Sequence, residues 1–132
     1  RLVVNTVSCT SAFSQHAAVA ALTGPWEGVE EMVAEFRRRR QIIVDGLNAI
    51  PGVSCVEPGG AFYAFPSVKS LGVPSKVVEE HLLNHAGVAC LSGTAFGRYG
   101  EGYLRLSYAN SVERIRQALD AIATALPELH RG

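Results

Sequence analysis

One arginine stands in an otherwise apolar segment near the end of the chain. Residues 87–109 read GVACLSGTAFGRYGEGYLRLSYA, which predicts a short strand, a glycine-rich loop and a second strand over 103–108. Arg105 lies in that second strand and presents a planar fork of donors that fits a carboxylate through two hydrogen bonds. Strand alternation alone favours a simpler interpretation, a surface Arg, because Leu104 and Leu106 share the opposite face.

Other side chains that could do chemistry are more simply explained by structure. His81 and His85 have the i,i+4 spacing of two metal ligands, but a zinc protease needs Glu directly after the first His, where Leu82 stands. No third ligand is indicated by spacing, so we predict no metal site. The loop glycines lack the Lys-Ser/Thr of a phosphate-binding loop and indicate tight turns between two strands: Gly97, Gly100 and Gly102.

No catalytic nucleophile is predicted within the chain. A lysine that forms a Schiff base sits in a desolvated site beside its cofactor. The only lysines are Lys69, in a polar loop, and Lys76, at a helix start, so we expect both to be exposed. Ser107 lacks the Gly-x-Ser-x-Gly turn of hydrolases, and Cys90 is most simply a small core residue.

Composition and charge exclude several classes of partner. The length of 132 residues, with 48% apolar and 18% charged residues, indicates an ordinary soluble globular protein. The formal net charge is zero, so no overall field attracts nucleic acid or anionic lipid, and no apolar run of about 18 residues could span a membrane. Cys9, Cys55 and Cys90 are odd in number and far apart, which indicates free thiols in a reducing cytoplasm. The chain begins RLVV, in mid-pattern and without Met, so we expect a fragment of a longer protein.

The four consecutive arginines at 37–40 raise the question of a nucleic-acid-binding surface. Their helix also carries five acidic residues between positions 27 and 45, so the local charge is −1. Glu35 and Arg39 have the favourable i,i+4 order for an ion pair. A nucleic-acid-binding face needs clustered charge that is not neutralised, so a solvated helix face is the favoured interpretation.

Hydrophobic periodicity and chain breakers predict the elements that position these residues. The predicted helices are 12–22, 26–49, 75–85 and a last helix that is N-capped by Ser111 and ended by Pro127. Strands at 53–56 and 61–65 are predicted to form a hairpin, and segments 1–11 and 67–74 are predicted to be irregular. The predicted fold class is α+β, a small, mainly antiparallel sheet with helices packed on one face.

The chain resembles the C-terminal part of the class I and II aminotransferases, fold type I enzymes that use pyridoxal phosphate, in their aspartate aminotransferase-like branch. Matching stretches occur in the right order at 13–22, 36–47, 60–63 and 87–109. In the last of these, SGTAFG resembles the family's Pro-Gly-x-x-Phe-Gly loop. LRLSYA resembles its strand of the form hydrophobic-Arg-hydrophobic-Ser-Tyr/Phe-Ala. Ser92 replaces the usual Pro, and we expect this change to loosen the loop.

The resemblance implies roles for individual residues. The family's strand Arg binds the α-carboxylate of the substrate, a role that would fall to Arg105. Its Gly-x-Phe-Tyr/Phe strand contributes an aromatic wall of the substrate site, here Phe62. Ser8 lies in a stretch that approaches the cofactor phosphate of the partner subunit in relatives, although a plain polar loop is the simpler interpretation. Residues 1–25 would be a remnant of the large domain with its linking helix, and 26–132 the C-terminal small domain.

The same resemblance implies a cytoplasmic homodimeric enzyme that transfers an amino group between an amino acid and a 2-oxo acid with pyridoxal 5'-phosphate. The family's Schiff-base lysine and most of its cofactor ligands belong to the large domain and have no counterpart here. We therefore expect this chain alone to bind no cofactor and to be inactive. Two alternatives stay open: a non-catalytic α+β module that recognises a carboxylate through Arg105, and a nucleic-acid-binding domain.

Overall fold

The computed structural model describes residue 6 and residues 8–130 of the chain. The helices and strands of this part are α1 (Ala12–Thr23), α2 (Glu27–Asn48), β1 (Tyr63–Ala64), α3 (Ser75–Ala86), β2 (Leu91–Ser92), β3 (Leu104–Ser107) and α4 (Val112–Ala125). The same described residues include four 3₁₀ turns, at Lys69–Leu71, Gly93–Phe96, Arg98–Gly100 and Leu126–His130. The chain divides into two compact units, 1–33 and 34–132.

The first unit holds α1 and the beginning of α2. No residue of α1 is buried within the chain. Residues 8–11 are irregular, as predicted, and Thr6 is helical; the prediction for residues 1–5 and 7 lies outside the described residues. The predicted domain boundary after residue 25 stays a prediction.

Local signals explain where the helices of the second unit begin and end. Ser111 caps α4, because its hydroxyl oxygen accepts the N–H of Arg114 at 3.3 Å, as the sequence predicted. Gly87 ends α3 in the left-handed conformation, with φ of 64°. The N–H of Val88 still bonds the carbonyl of Leu82 at 3.0 Å, so the chain becomes extended only after this closing turn.

The strands of the described chain form one antiparallel sheet in the order β1-β3-β2. Arg105 lies on the central strand and pairs with Leu91 of β2. Side chains alternate along β3, so that Leu104 and Leu106 are buried while Arg105 is half-buried on the other face. The helices α2, α3 and α4 pack with the two leucines in one core, and together with the antiparallel sheet they confirm the predicted α+β class.

The core lies between the leucine-bearing face of β3 and the helices α2, α3 and α4. Its aliphatic members include Ile43, Leu47, Val78, Leu82, Leu104, Leu106, Ile115 and Ile122. Each such side chain contributes about 1.5–3 kcal/mol when it is buried. The packed core therefore fixes the sheet, and the sheet in turn fixes the side chains on its opposite face.

The predicted strand 53–56 is wrong. Only an isolated antiparallel bridge joins Ser54 to Ser67. The reason is the side chain of Asn48, which takes both backbone groups of Cys55. Its amide nitrogen donates to the Cys55 carbonyl at 2.9 Å, and its Oδ1 accepts the Cys55 N–H at 2.8 Å. Those groups are then not available to a strand ladder.

Three other predicted boundaries also differ from the structure. The strand predicted at 61–65 shrinks to β1, because Ala61 has a positive φ of 58° that is incompatible with extended chain. The strand predicted to begin at Gly87 begins only at Leu91, after the α3 closing turn. Pro127 does not end a continuous helix, since α4 stops at Ala125 and the proline lies inside a 3₁₀ turn.

Three of the four consecutive arginines are paired with acids. Arg38 and Arg39 bond Glu35 at 2.9 and 2.8 Å, and Arg40 lies 2.7 Å from Glu57. Hydrogen bonds from Arg38 and Arg39 lower the pKa of Glu35 to about 2. The predicted Glu35–Arg39 pair is confirmed, and the basic run forms a largely neutralised helix face.

The three cysteines are free thiols, as predicted. Cys9 is exposed, Cys55 is buried, and Cys90 is half-buried against the core just before β2. Burial raises the pKa of Cys55, and it raises the pKa of Cys90 to about 11. No helix in the described part of the chain combines the length and apolar character needed to cross a membrane.

Candidate carboxylate-binding site

Arg105 packs its guanidinium against two aromatic rings on the face of the sheet opposite Leu104 and Leu106. Its Cζ lies 4.3 Å from the centroid of the Tyr63 ring and 4.5 Å from that of Phe96. Cation–π contacts are worth about 0.5–2 kcal/mol each, depending on how far they are desolvated. They use the π-faces of the rings rather than hydrogen-bond acceptors, so they restrict the guanidinium without occupying its N–H donors.

Each ring reaches Arg105 from a different element. Tyr63 belongs to β1 and pairs with Ser107, which lies two residues beyond Arg105 on the same face of β3. Phe96 ends the 3₁₀ turn Gly93–Phe96, whose first N–H bonds the carbonyl of Tyr103 at 2.8 Å. The strand that carries Arg105 therefore also anchors the loop that brings the second ring.

The loop between β2 and β3 is closed by two glycines in backbone contact. A Cβ on Gly93 would overlap the carbonyl oxygen of Gly100, and a Cβ on Gly100 would overlap the carbonyl oxygen of Gly93. Gly102 has φ of 79°, a left-handed conformation that favours glycine. The predicted tight turns are confirmed, and they hold Phe96 in place through backbone packing.

The aromatic surface extends beyond the two rings that contact Arg105. Phe65 meets Phe96 edge-on with 6.2 Å between ring centroids, and it stacks on Tyr103 at 5.5 Å. Lys69 places its Nζ 4.5 Å from the centroid of the Tyr103 ring. We call Tyr63, Phe65, Phe96 and Tyr103 the aromatic strip; it carries a cation at each of two positions.

No carboxylate of the described residues pairs with Arg105. Four acids of the same unit are engaged elsewhere: Glu35 with arginines of α2, Glu57 with an arginine, Glu79 with a lysine, and Glu101 with backbone N–H groups. A ligand carboxylate could therefore occupy the guanidinium fork without displacing an ion pair of this part of the chain.

The other predicted site residues are placed as follows. Phe62 is 41% exposed, and its ring centroid lies 4.6 Å from that of Tyr63 and 6.3 Å from that of Phe36. It therefore adjoins a ring that contacts Arg105. Ser8 is exposed in an irregular segment of the unit 1–33. The roles of Phe62 and Ser8 stay predictions.

The histidines at i,i+4 do not form a metal site with their neighbours. The rings of His81 and His85 stack with centroids 4.5 Å apart, and Nε2 of His81 lies 2.9 Å from the carbonyl oxygen of Ala125. Residues 6 and 8–130 contain no group of three or more potential His, Cys, Asp or Glu ligands. Both rings are accounted for by packing and capping on the helical side.

The sequence did not predict that Phe96 contacts Arg105, and the prediction that Ser92 loosens the loop between β2 and β3 was wrong. Alternation with the buried Ala64 could have placed Tyr63 on the same face of the sheet as Arg105, but no local pattern indicates the contact of Phe96. Ser92, expected to loosen the loop, is only 2% exposed, and its hydroxyl oxygen accepts the N–H of Thr94 at 3.3 Å. The turn that follows Ser92 is capped rather than loosened.

Comparison with known proteins identifies the family. The family model for aminotransferases of class I and II matches residues 2–122. The chain belongs to this family. Its resemblance to the aspartate aminotransferase-like, fold type I enzymes is thereby confirmed. The match includes the strand with Arg105, the aromatic strip and the loop that carries Phe96.

Individual aminotransferases match this chain over most of its length. YugH of Bacillus subtilis is 50% identical over 111 residues, which are 84% of this chain and 28% of that protein. Aspartate aminotransferase of Pyrococcus horikoshii is 45% identical over 118 residues, 88% of this chain and 30% of that enzyme. The solved aromatic aminotransferase of Pyrococcus horikoshii superposes with a TM-score of 0.85 at 41% identity, covering 92% of this chain and 33% of that one. The chain thus spans about 30% of the length of the relatives it matches.

Proposed function

We propose that this chain is the C-terminal, substrate-carboxylate-binding domain of a longer pyridoxal-phosphate-dependent aminotransferase. The full-length protein, called the parent below, would transfer an amino group between an amino acid and a 2-oxo acid. One observation carries the proposal: the donor fork of Arg105 is held against Tyr63 and Phe96 and has no acidic partner in the described chain. Membership of the family supports the reaction class.

Arg105 would bind the α-carboxylate of the substrate through two parallel N–H···O bonds. Charge-assisted bonds of this kind are roughly twice as strong as neutral ones, and the planar fork fixes the orientation of the bound group. The rings of Tyr63 and Phe96 reduce access of water to the guanidinium, which strengthens its attraction for an anion. Holding the carboxylate determines which bond of the substrate Cα faces the reacting group, so the contribution of Arg105 is positioning.

The substrate class that fits this geometry is an α-amino acid, without a defined side chain. The relatives include enzymes named for aspartate and for aromatic amino acids. An α-carboxylate is the feature that those substrates share, and Arg105 lies within the residues that match the family model. The Phe62 ring adjoins that of Tyr63 and would form an aromatic wall of the substrate site.

The described residues do not fit pyridoxal phosphate on their own. Both lysines are exposed: Lys69 lies over the Tyr103 ring, and Lys76 pairs with Glu79 at 2.8 Å. A Schiff-base lysine needs a desolvated site, which neither has. We therefore assign the cofactor ligands, apart from a weak candidate at Ser8, to other parts of the parent. This chain alone would be inactive, and the homodimer and the cytoplasmic location that the family implies belong to the same proposal.

The test is a transfer assay on the parent supplied with pyridoxal phosphate. We expect its visible absorption to change when an amino acid is added and to recover when a 2-oxo acid follows, with formation of the matching products. Residues 1–132 alone, tested in parallel, should give neither change. If no common amino acid produces a change in the parent, the proposal is wrong; if amino acids bind without any transfer, a non-catalytic carboxylate-binding module is the better description.

A further inference from the structure

A buried group of hydroxyls joins the loop between β2 and β3 to the first turn of α3. Ser75 is 0% exposed and Ser92 is 2% exposed, and their Oγ atoms lie 2.9 Å apart. Ser92 Oγ also lies 2.8 Å from Oγ1 of Thr94 and accepts the Thr94 N–H. Burial of two polar side chains is tolerated because each finds a hydrogen-bond partner in the other.

Residues of the first two turns of α3 also hold the backbone at both ends of the loop. At its start, the N–H of Ser92 donates to Oε2 of Glu79 at 2.8 Å. At its end, Oε1 of Glu101 accepts the N–H of Ser75 at 2.8 Å and the N–H of Gly102 at 3.0 Å. Ser75 therefore links both ends of the loop to α3. Its N–H bonds the carboxylate of Glu101 at the end of the loop, and its hydroxyl bonds that of Ser92 at the start.

The charges of the two carboxylates agree with this geometry. The hydrogen bond from Lys76, helped by that from the Ser92 N–H, holds the pKa of Glu79 below its usual value. The N–H of Ser75 does the same to the pKa of Glu101. Both groups are therefore charged acceptors near neutral pH, and hydrogen bonds to a charged acceptor are the stronger kind.

The hydroxyl cluster does not contact Arg105, but the loop that the cluster anchors carries Phe96, which does. Ser92 is the N-cap of the turn Gly93–Phe96, with φ of −59° and ψ of 137°. Three residues of turn separate this cap from Phe96, whose ring lies against the guanidinium of Arg105. A shift of Ser92 would therefore move the ring, because a 3₁₀ turn closed by its own hydrogen bonds moves as a unit.

We propose that Ser75 and Ser92 are positioning residues of the carboxylate-binding site. Their hydroxyl pair fixes the Gly93–Phe96 turn to α3 and so sets the place of the Phe96 ring against Arg105. This inference rests on the proposed function, because it concerns how well Arg105 binds the substrate carboxylate. Neither serine touches the substrate.

The test compares Ser92→Ala, Ser75→Ala and the double variant in the parent. Each single change should raise KM for the amino acid on the order of five- to thirtyfold, the effect expected from one buried hydrogen bond. Because Arg105 itself is retained and still orients the carboxylate once the substrate is bound, kcat should stay within about twofold. Ser75→Ala removes only the Oγ–Oγ bond, and Ser92→Ala removes that bond together with those to Thr94, so the double variant should raise KM no more than Ser92→Ala alone does. Ser92→Thr, which keeps the hydroxyl, should retain most of the affinity.

Thr124→Ala is the matched control, since it removes an exposed hydroxyl that bonds only the carbonyl of Asp120 within α4. It should leave KM unchanged. An Arg105→Lys variant is measured beside it to separate two kinds of failure. If Arg105→Lys raises KM and the serine variants do not, the positioning role is wrong while the proposed function stands. If Arg105→Lys also leaves KM unchanged, the proposed function is what fails.

A milder change decides the matter if the serine variants do not fold. Glu79→Gln keeps an acceptor for the Ser92 N–H but removes the charge that strengthens the bond. It should raise KM about twofold to fivefold without changing kcat. An unchanged KM in a folded Glu79→Gln variant would overturn the proposed link between α3 and the loop.

Discussion

Replacing Gly100 by alanine tests the loop that brings Phe96 to Arg105. The added Cβ would overlap the carbonyl oxygen of Gly93, a backbone atom that cannot rotate away. Overpacking of this kind costs about 1–3 kcal/mol, while the smaller conformational freedom of alanine in the unfolded chain returns about 0.4–1 kcal/mol. We therefore expect Gly100→Ala to lower the free energy of unfolding by roughly 1–2 kcal/mol. Gly59 is the matched control, because nothing lies within 4 Å of a Cβ built there.

The assay is urea unfolding of both variants, followed by far-UV circular dichroism. With an m-value of about 1–3 kcal/mol per molar urea, a difference of about 1–2 kcal/mol moves the midpoint by about 0.3–2 M. Gly59→Ala should unfold at or slightly above the wild-type midpoint. If the free energies of unfolding of the two variants differ by less than about 0.5 kcal/mol, Gly93 and Gly100 are not in tight backbone contact. The claim that this contact holds Phe96 against Arg105 would then be refuted.

Three further outcomes are expected. Tyr108→Phe removes a 2.8 Å hydrogen bond from a buried hydroxyl to the carbonyl of Ala61; urea unfolding should show a loss of about 0.5–1.5 kcal/mol, and no loss would mean that the bond contributes nothing. Backbone N–H donors lower the pKa of Glu101, so the stability that its carboxylate supplies is present above its ordinary pKa and is lost as pH falls through the lower folded-state value. Urea midpoints measured from pH 7 down to about 3 should therefore fall less steeply in Glu101→Gln than in the wild type. Equal slopes would contradict a stabilising role for the Glu101 carboxylate. Burial raises the pKa of Cys90 to about 11, so iodoacetamide at about pH 8 should label the exposed Cys9 first, as peptide mass analysis can check; equal labelling would show that Cys90 is not desolvated.

The elements that local signals specify could be predicted from the sequence. Ser111 capped its helix as expected, and Glu35 paired with Arg39 at the spacing that favours an ion pair. The alternation of Leu104 and Leu106 around Arg105 placed that side chain on the opposite face of the sheet. In each case the interaction joins residues that are close in sequence, so the pattern itself contains the information.

What could not be predicted depends on contacts between segments distant in sequence or on side chains that bind backbone. Asn48 satisfies the backbone of Cys55 and thereby prevents a strand that local composition favoured. Phe96 reaches Arg105 only because two turns pack together, and Ser92 is buried only because α3 supplies Ser75 as its partner. Such features follow from the assembled fold, so periodicity and propensity carry no signal for them.

The role of Arg105 is tested most directly by comparing an amino acid with the amine that lacks its carboxylate. Dissociation constants of both ligands are measured on the parent and on its Arg105→Lys and Arg105→Met variants, with Arg116→Lys, an exposed helix position, as the control. The wild type and the control should prefer the amino acid, Arg105→Lys should lose about ten- to a hundredfold of that preference, and Arg105→Met should lose nearly all of it. A preference that is the same in all four proteins would show that another group binds the carboxylate.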